Sequence, residues 1–270
     1  MGFLSAFAYA LLIGAVPLAE VIWTGRSPAA LVLLFWFETV LGLATGAVRI
    51  VAHRRATGKA GHHAPTTVTS DKDADADAVA RQLSDGNTYL RHFLGVNAIF
   101  TIAHGVFVLL LVFLFRIAGP LSWDDARLAL AWVATVQAVF LMADLPRIAS
   151  WRFADLGASV GQTSIRVLVT QIALIFGLPA AGLFGPWGLV GVLIALRALA
   201  DSAIAWIGGL LKQRDLPPGF RRFLARRAKQ SEESLEAEFD ALKEKGAAVE
   251  ALLERPIGEL RPDLAGGRGS

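Results

Sequence analysis

Between Pro28 and Val51 the chain reads PAALVLLFWFETVLGLATGAVRIV. This run is almost free of charge and is long enough to cross a bilayer core, which takes about 20 residues of α-helix. Similar runs lie at Phe3 to Trp23, Phe93 to Phe115, Leu128 to Leu145, Ile165 to Phe184 and Pro186 to Leu211. Over all 270 residues, 54% are hydrophobic and 18% charged, and the mean hydropathy is +0.52. A soluble domain carries roughly 45–50% apolar and about 25% charged residues. The pattern excludes a soluble globular enzyme, a disordered chain and a fibrous repeat. Because the runs are continuous rather than alternating, it also argues against an outer-membrane barrel. The fold class expected is all-α, a polytopic membrane bundle of six transmembrane helices with an amphipathic cytoplasmic helix at the C-terminus.

The first run lacks a preceding Lys or Arg, and Pro17 and Glu20 stand where a signal cleavage site wants small neutral residues. It is expected to be a retained helix. Lys and Arg in the connecting loops set orientation. They crowd the link between spans two and three (Arg54, Arg55, Lys59, Lys72, Arg81, Arg91), the link between four and five (Arg147, Arg152) and the tail from Lys212 to Lys229. The opposite side holds Arg26, Arg116 and Arg127. Both termini are therefore expected in the cytoplasm of a cell that carries the protein in its inner or plasma membrane. Trp23, Trp123 and Trp187 mark the outer interface.

The domain organisation expected is a hairpin of spans at 1–55, a disordered cytoplasmic loop at 56–88, spans three to six at 89–211 and a cytoplasmic tail at 212–270. The loop is rich in Gly, Ala, Thr, Ser and Asp-Ala alternation and holds few large apolar groups. His62-His63 within it reads as a solvated pair rather than a metal site. Residues 217–229 carry Arg221, Arg222, Arg226 and Arg227 beside Phe220, Phe223 and Leu224. This suits a short helix on anionic lipid, or a plain topology signal. In residues 231–254, Leu235, Phe239, Leu242, Val249 and Leu253 form a stripe. It can pack on the protein's own cytoplasmic face, on a second copy in a homo-oligomer or on a protein partner. A net charge of +3 is too small to suggest nucleic acid.

An ionisable group inside a span costs roughly 2.5–3.5 kcal/mol on insertion scales and needs a partner or a purpose. Glu38, His104 and Arg197 fall near the middle of spans two, three and six, and Asp201 follows Arg197 at i,i+4 on the same helix face. One permanent cation then faces two carboxylates and a histidine, so one carboxylate must take a proton or lie beside His104. These four form the expected buried polar cluster, with Trp36, Asn97, Gln137, Arg166 and Gln171 in support. Arg166 is placed near Asp144 and Asp155 as an interfacial salt-bridge set. The cluster reads either as a satisfied interhelical network or as a functional cavity. The chain has no cysteine, which removes thiolate chemistry and Cys-ligated metals. It has no His-Glu-x-x-His helix and no phosphate loop. The segment Gly157-Ala158-Ser159-Val160-Gly161 matches a nucleophile-elbow pattern but lacks its strand-to-helix context. No cofactor, metal or catalytic residue is expected.

Trp36-Phe37-Glu38 resembles a tryptophan-x-glutamate signature in an uncharacterised prokaryotic integral-membrane family, a domain of unknown function. His104-Gly105-Val106-Phe107 is similar to its histidine-glycine-x-phenylalanine segment, and Arg197 with Asp201 to its basic-x-x-x-aspartate segment. Arg166-Val167 resembles its arginine-isoleucine pair, with Thr163 and Ser164 replacing a proline and a tyrosine and Gln171 replacing a histidine. The resemblance covers about residues 28–211 outside the polar loop and implies no activity. Three functions remain: a transporter or channel-like protein for a small solute or protons, a non-catalytic scaffold or assembly subunit, and, least favoured, an intramembrane enzyme.

Overall fold

Ser27 opens the first described helix, α1 (Pro28–Thr57). Its hydroxyl oxygen accepts the Ala29 N–H at 3.1 Å, and Pro28 fills the first helical position, where a missing N–H costs nothing. A 3-10 turn follows at Ala60–His63, then a short helix α2 (Ala76–Gln82). Asn87 caps α3 (Thr88–Leu109) by accepting the Leu90 N–H at 3.2 Å. A π-helical turn, Leu110–Leu114, extends α3. After α4 (Trp123–Asp144) comes a 3-10 segment, Leu145–Ser150. The long α5 (Phe153–Phe184) and α6 (Pro186–Lys212) meet at Gly185, whose φ of 67° allows the expected tight turn. The chain ends in α7 (Glu232–Glu254) and α8 (Ile257–Leu260).

This computed structural model describes residues 27–64, 76–84, 86–212 and 232–261. The expected span at Phe3 to Trp23 and the basic segment 217–229 lie outside them. Five helices are long and apolar enough to cross a membrane: Pro28–Thr57, Thr88–Leu114, Ala126–Ser150, Phe153–Phe184 and Pro186–Ala203. Among the described residues there is no sheet, only one antiparallel bridge between Lys59 and Pro256. The helices run longer than the apolar runs that announce them. The α5 helix starts at Phe153 rather than Ile165 because the Asp155 carboxylate accepts the Arg152 N–H at 3.1 Å and Glu254 accepts the Phe153 N–H. Arg166 is therefore inside a helix, not at its start.

The chain divides into two compact units. Of the described residues, the first takes 27–46, 95–144 and 159–209. Its core joins Val32 of α1, Val108 and Leu111 around the end of α3, Leu174 of α5, and Leu189 and Leu193 of α6. Gly177 lets α5 approach α6, because a Cβ there would strike the Leu189 side chain. From Arg127 to Arg147, α4 and the turn after it bury no residue.

Of the described residues, the second unit takes 47–64, 76–84, 86–94, 145–158, 210–212 and 232–261. Its centre is the turn Ala60–His63, whose four residues are all buried. Gly61 lies against the Phe153 ring so closely that a Cβ would stand 2.5 Å from it. Tyr89 meets Phe153 edge-on at 5.0 Å. The turn is pinned to the C-terminal segment by the Ala60 N–H on the Arg255 carbonyl, at 2.8 Å, and the Ile257 N–H on the Gly58 carbonyl, at 3.0 Å. The reading of 56–88 as a disordered loop is thus corrected for residues 60–64 and 76–84; residues 65–75 lie outside the described part. The segment has too few apolar groups to fold alone, but Val79 and Leu83 are buried in a unit that also buries Phe153, Leu253 and Ile257 from far along the chain. The His62-His63 pair is buried, not solvated. The two units interleave along the chain, so they are not the four consecutive segments expected from sequence. The α7 helix lies against the turn and α2, with Leu253 buried; the side chains of Leu235, Phe239 and Leu242 lie outside the described set.

Candidate functional site

Three helices of the first unit, α1, α5 and α6, carry a network of charged residues. Arg197 on α6 grips Glu38 on α1 in two parallel bonds: Nη1 donates to Oε2 at 2.6 Å and Nη2 to Oε1 at 2.5 Å. This fork-on-fork geometry is the strongest way to pair a guanidinium with a carboxylate. The Phe35 ring lies beside the cation, with its centroid 5.3 Å from Cζ. One turn along α6, Asp201 Oδ2 stands 4.0 Å from Arg197 Nε, and its other oxygen lies 3.5 Å from Nε of Arg166 on α5. The result is a chain of alternating charge, Glu38–Arg197–Asp201–Arg166.

The principal partner of Arg197 is Glu38, across helices, with Asp201 on its own helix farther off. One expectation is corrected by this geometry. Arg166 joins this network instead of an interfacial set, while Asp155 pairs with Arg152 at 3.6 Å. With two cations against two carboxylates the group is neutral, so neither carboxylate needs a proton for charge balance. A signal for this was present in the sequence: two carboxylates and one arginine at depth left a cation missing, and Arg166 was the nearest candidate.

His104 belongs to a different arrangement. Trp36 and Glu38 are two residues apart, about 200° around α1, and so point to opposite sides. Trp36 turns to α3, where its indole N–H donates to the Thr101 carbonyl at 3.1 Å. The ring lies on Gly105, where a Cβ would stand 2.7 Å from it. His104 is 1% exposed, and no hydrogen bond or ion pair among the described residues joins it to Glu38, Arg197 or Asp201. Its Nδ1 and the hydroxyl of Thr101, one turn earlier, are buried without a partner among the described residues. Asn97 is also buried on α3. Gln171 ties α5 to α3 by donating to the Phe100 carbonyl at 3.0 Å. Gln137 lies on α4, outside these arrangements. Among the described residues, no group of three or more His, Asp or Glu is placed to hold a metal ion.

A family model, that of a family of unknown function (DUF6498), matches residues 4–233. The chain belongs to this family. No curated protein and no solved structure matches it. The DUF6498 match takes in every member of the ion-pair chain and of the Trp36–Gly105 contact. It stops just after α7 begins, so Glu254 and the bridge to Pro256 lie beyond it.

Proposed function

We propose that this DUF6498 protein is a multi-pass protein of the cell membrane that carries a small polar solute or protons, with Glu38, Arg197, Asp201 and Arg166 as its polar site. The observation that carries the reading is a charge chain held between helices apolar enough to span a bilayer and not sealed by them. The side chains of Glu38, Arg197, Asp201 and Arg166 keep 22%, 26%, 32% and 44% of their accessible surface. Ionisable groups inside apolar helices that are not fully enclosed are candidates for a solute or proton path. The loop charges support six spans with both termini cytoplasmic, and the arginines of 217–229 support contact with anionic lipid. Purified protein in liposomes holding a pH-sensitive dye tests the proton form: an imposed potassium diffusion potential should acidify the lumen, and Glu38→Gln should abolish the signal. Equal signals from the variant and the native chain, or none above empty liposomes, would exclude it.

A second reading, a non-catalytic assembly subunit, is favoured by α4, whose apolar stretch from Arg127 to Arg147 buries nothing. Mass measurement in lipid nanodiscs tests it. A monomer free of other protein would remove the support that α4 lends.

A further inference from the structure

The second unit contains a hydrogen-bonded chain that has only one neutral arrangement. His53, near the end of α1, points Nε2 at the Trp151 carbonyl at 3.1 Å. A carbonyl only accepts, so that nitrogen carries the hydrogen. The Nδ1 of His53 is then a bare acceptor, and it receives Nε2–H of His62 at 2.8 Å. This leaves Nδ1 of His62 as a lone pair, buried and without a partner among the described residues. His62 is fully buried, edge-on to Phe153 at 5.3 Å and to Tyr89 at 6.5 Å.

A proton is disfavoured in this chain wherever it lands. On Nδ1 of His62 it finds no acceptor. On Nδ1 of His53 it sets two N–H groups head to head. The surroundings do not offset it: Arg54 on α1 and Lys59 and His63 on the turn all oppose positive charge at His62. Tyr89 from α3 offers a ring edge, and Asp77 and Arg81 on α2 are exposed. From the C-terminal side, Glu250 is held by Arg152, just before α5, at 3.1 Å. Glu254 is shared between Lys59 Nζ, at 2.5 Å, and the Phe153 N–H. Glu254 can turn toward a charged histidine only by giving up a bond that docks its own segment. Burial accordingly holds His62 neutral down to about pH 3 while the unit stays closed.

One wall of this enclosure is the C-terminal segment. Residues 250–261, the end of α7 and α8, are held by two backbone bonds to the turn, the Glu254 contacts, the Glu250–Arg152 pair, the Arg261 bond to the Leu83 carbonyl and the burial of Leu253 and Ile257. We propose that the His53–His62 pair is a proton-operated latch: it holds residues 250–261 on the turn at neutral pH and releases them when the pair takes up a proton. The latch does not depend on the transport reading of the ion-pair chain.

Hydrogen exchange on the full chain in lipid nanodiscs tests it, read as protection factors so that the intrinsic pH dependence cancels. Between pH 7.5 and 5.0, protection of residues 250–261 should fall at least tenfold, while residues 189–202 of α6 keep theirs. His62→Gln retains an N–H for His53 but cannot titrate, and should hold the segment closed at pH 5.0. His63→Gln should respond as the native chain does. Unchanged protection in the native chain, equal loss in His62→Gln, or loss in α6 at the same pH would overturn the proposal. If His62→Gln does not fold, the imidazole nitrogen signals of the native chain decide. His62 must be the Nε2–H tautomer at pH 7.5 and must gain its proton as protection is lost; protonation with the segment still closed would overturn the latch.

Discussion

Arg197 shows how one side chain can settle a local architecture. Glu38 engages it through both oxygens, while Asp201 has a second cation in Arg166. Removing one member of a buried pair costs about 3–5 kcal/mol in sealed cores. With a quarter of Arg197 accessible, we expect Arg197→Leu to destabilise by about 1–2 kcal/mol, the scale of polar contacts between spans. Adding Glu38→Gln should recover most of that loss, because the orphaned carboxylate is gone, whereas adding Asp201→Leu should not. Unfolding in mixed detergent micelles would show which partner rescues; rescue by Asp201→Leu alone would reverse the assignment. Gly105 makes a second residue-scale case. Gly105→Ala drives a methyl into the Trp36 indole and should cost about 1–3 kcal/mol, the usual price of overpacking. Trp36→Phe in the same chain should return part of it, and tryptophan emission would report the shifted ring.

At the scale of elements, the end of α7 is tied to its unit by a carboxylate with two partners. Glu254 accepts from Lys59 and from the first N–H of α5, so it serves two elements at once. Bonds to charged groups contribute about 1.5–3 kcal/mol. Glu254→Ala should therefore loosen residues 232–261 and speed their tryptic cleavage at least fivefold; an unchanged rate would mean that Leu253 and Ile257 suffice. The span count belongs to this scale too. With six spans, reporter fusions after Ile117 and after Ser270 should report opposite sides of the membrane. The same side for both would leave only an odd arrangement of the apolar helices consistent with the loops.

For the molecule as a whole, acid should act on the second unit. His62 is held neutral when folded, with its pKa lowered from 6.5 to about 3, chiefly by burial and then by His53, Arg54, His63 and Lys59. In the unfolded chain it titrates at about 6.5. Above that pH both states are neutral and His62 contributes no pH dependence. Below it the unfolded chain holds one more proton, so stability declines as pH falls toward 3, by about 1 kcal/mol per pH unit. Melting curves of the native chain and of His62→Gln between pH 7.5 and 4.5 would separate this histidine from the carboxylates. Parallel slopes for the two would show that His62 does not set the acid response.

The all-helical class, with helices long and apolar enough to cross a membrane, was legible in the sequence: runs such as Pro28 to Val51 satisfy their own backbone and need no tertiary information to be recognised. The positions of Glu38, His104, Arg197 and Asp201 within such runs were legible in the same way. Partnership was not. Whether Arg197 turns to Asp201 on its own helix or to Glu38 on another depends on helix rotation, which span position leaves open. Likewise, Glu38 and His104 share a level but sit in different arrangements, because Trp36 and Glu38 point to opposite sides of α1. The buried turn at Ala60–His63 was least legible of all. Locally it is small and polar, and composition alone reads as disorder. Its burial comes from Phe153, Leu253 and the Glu254 contact with Lys59, residues about ninety to two hundred positions away along the chain, which only the folded molecule brings to it.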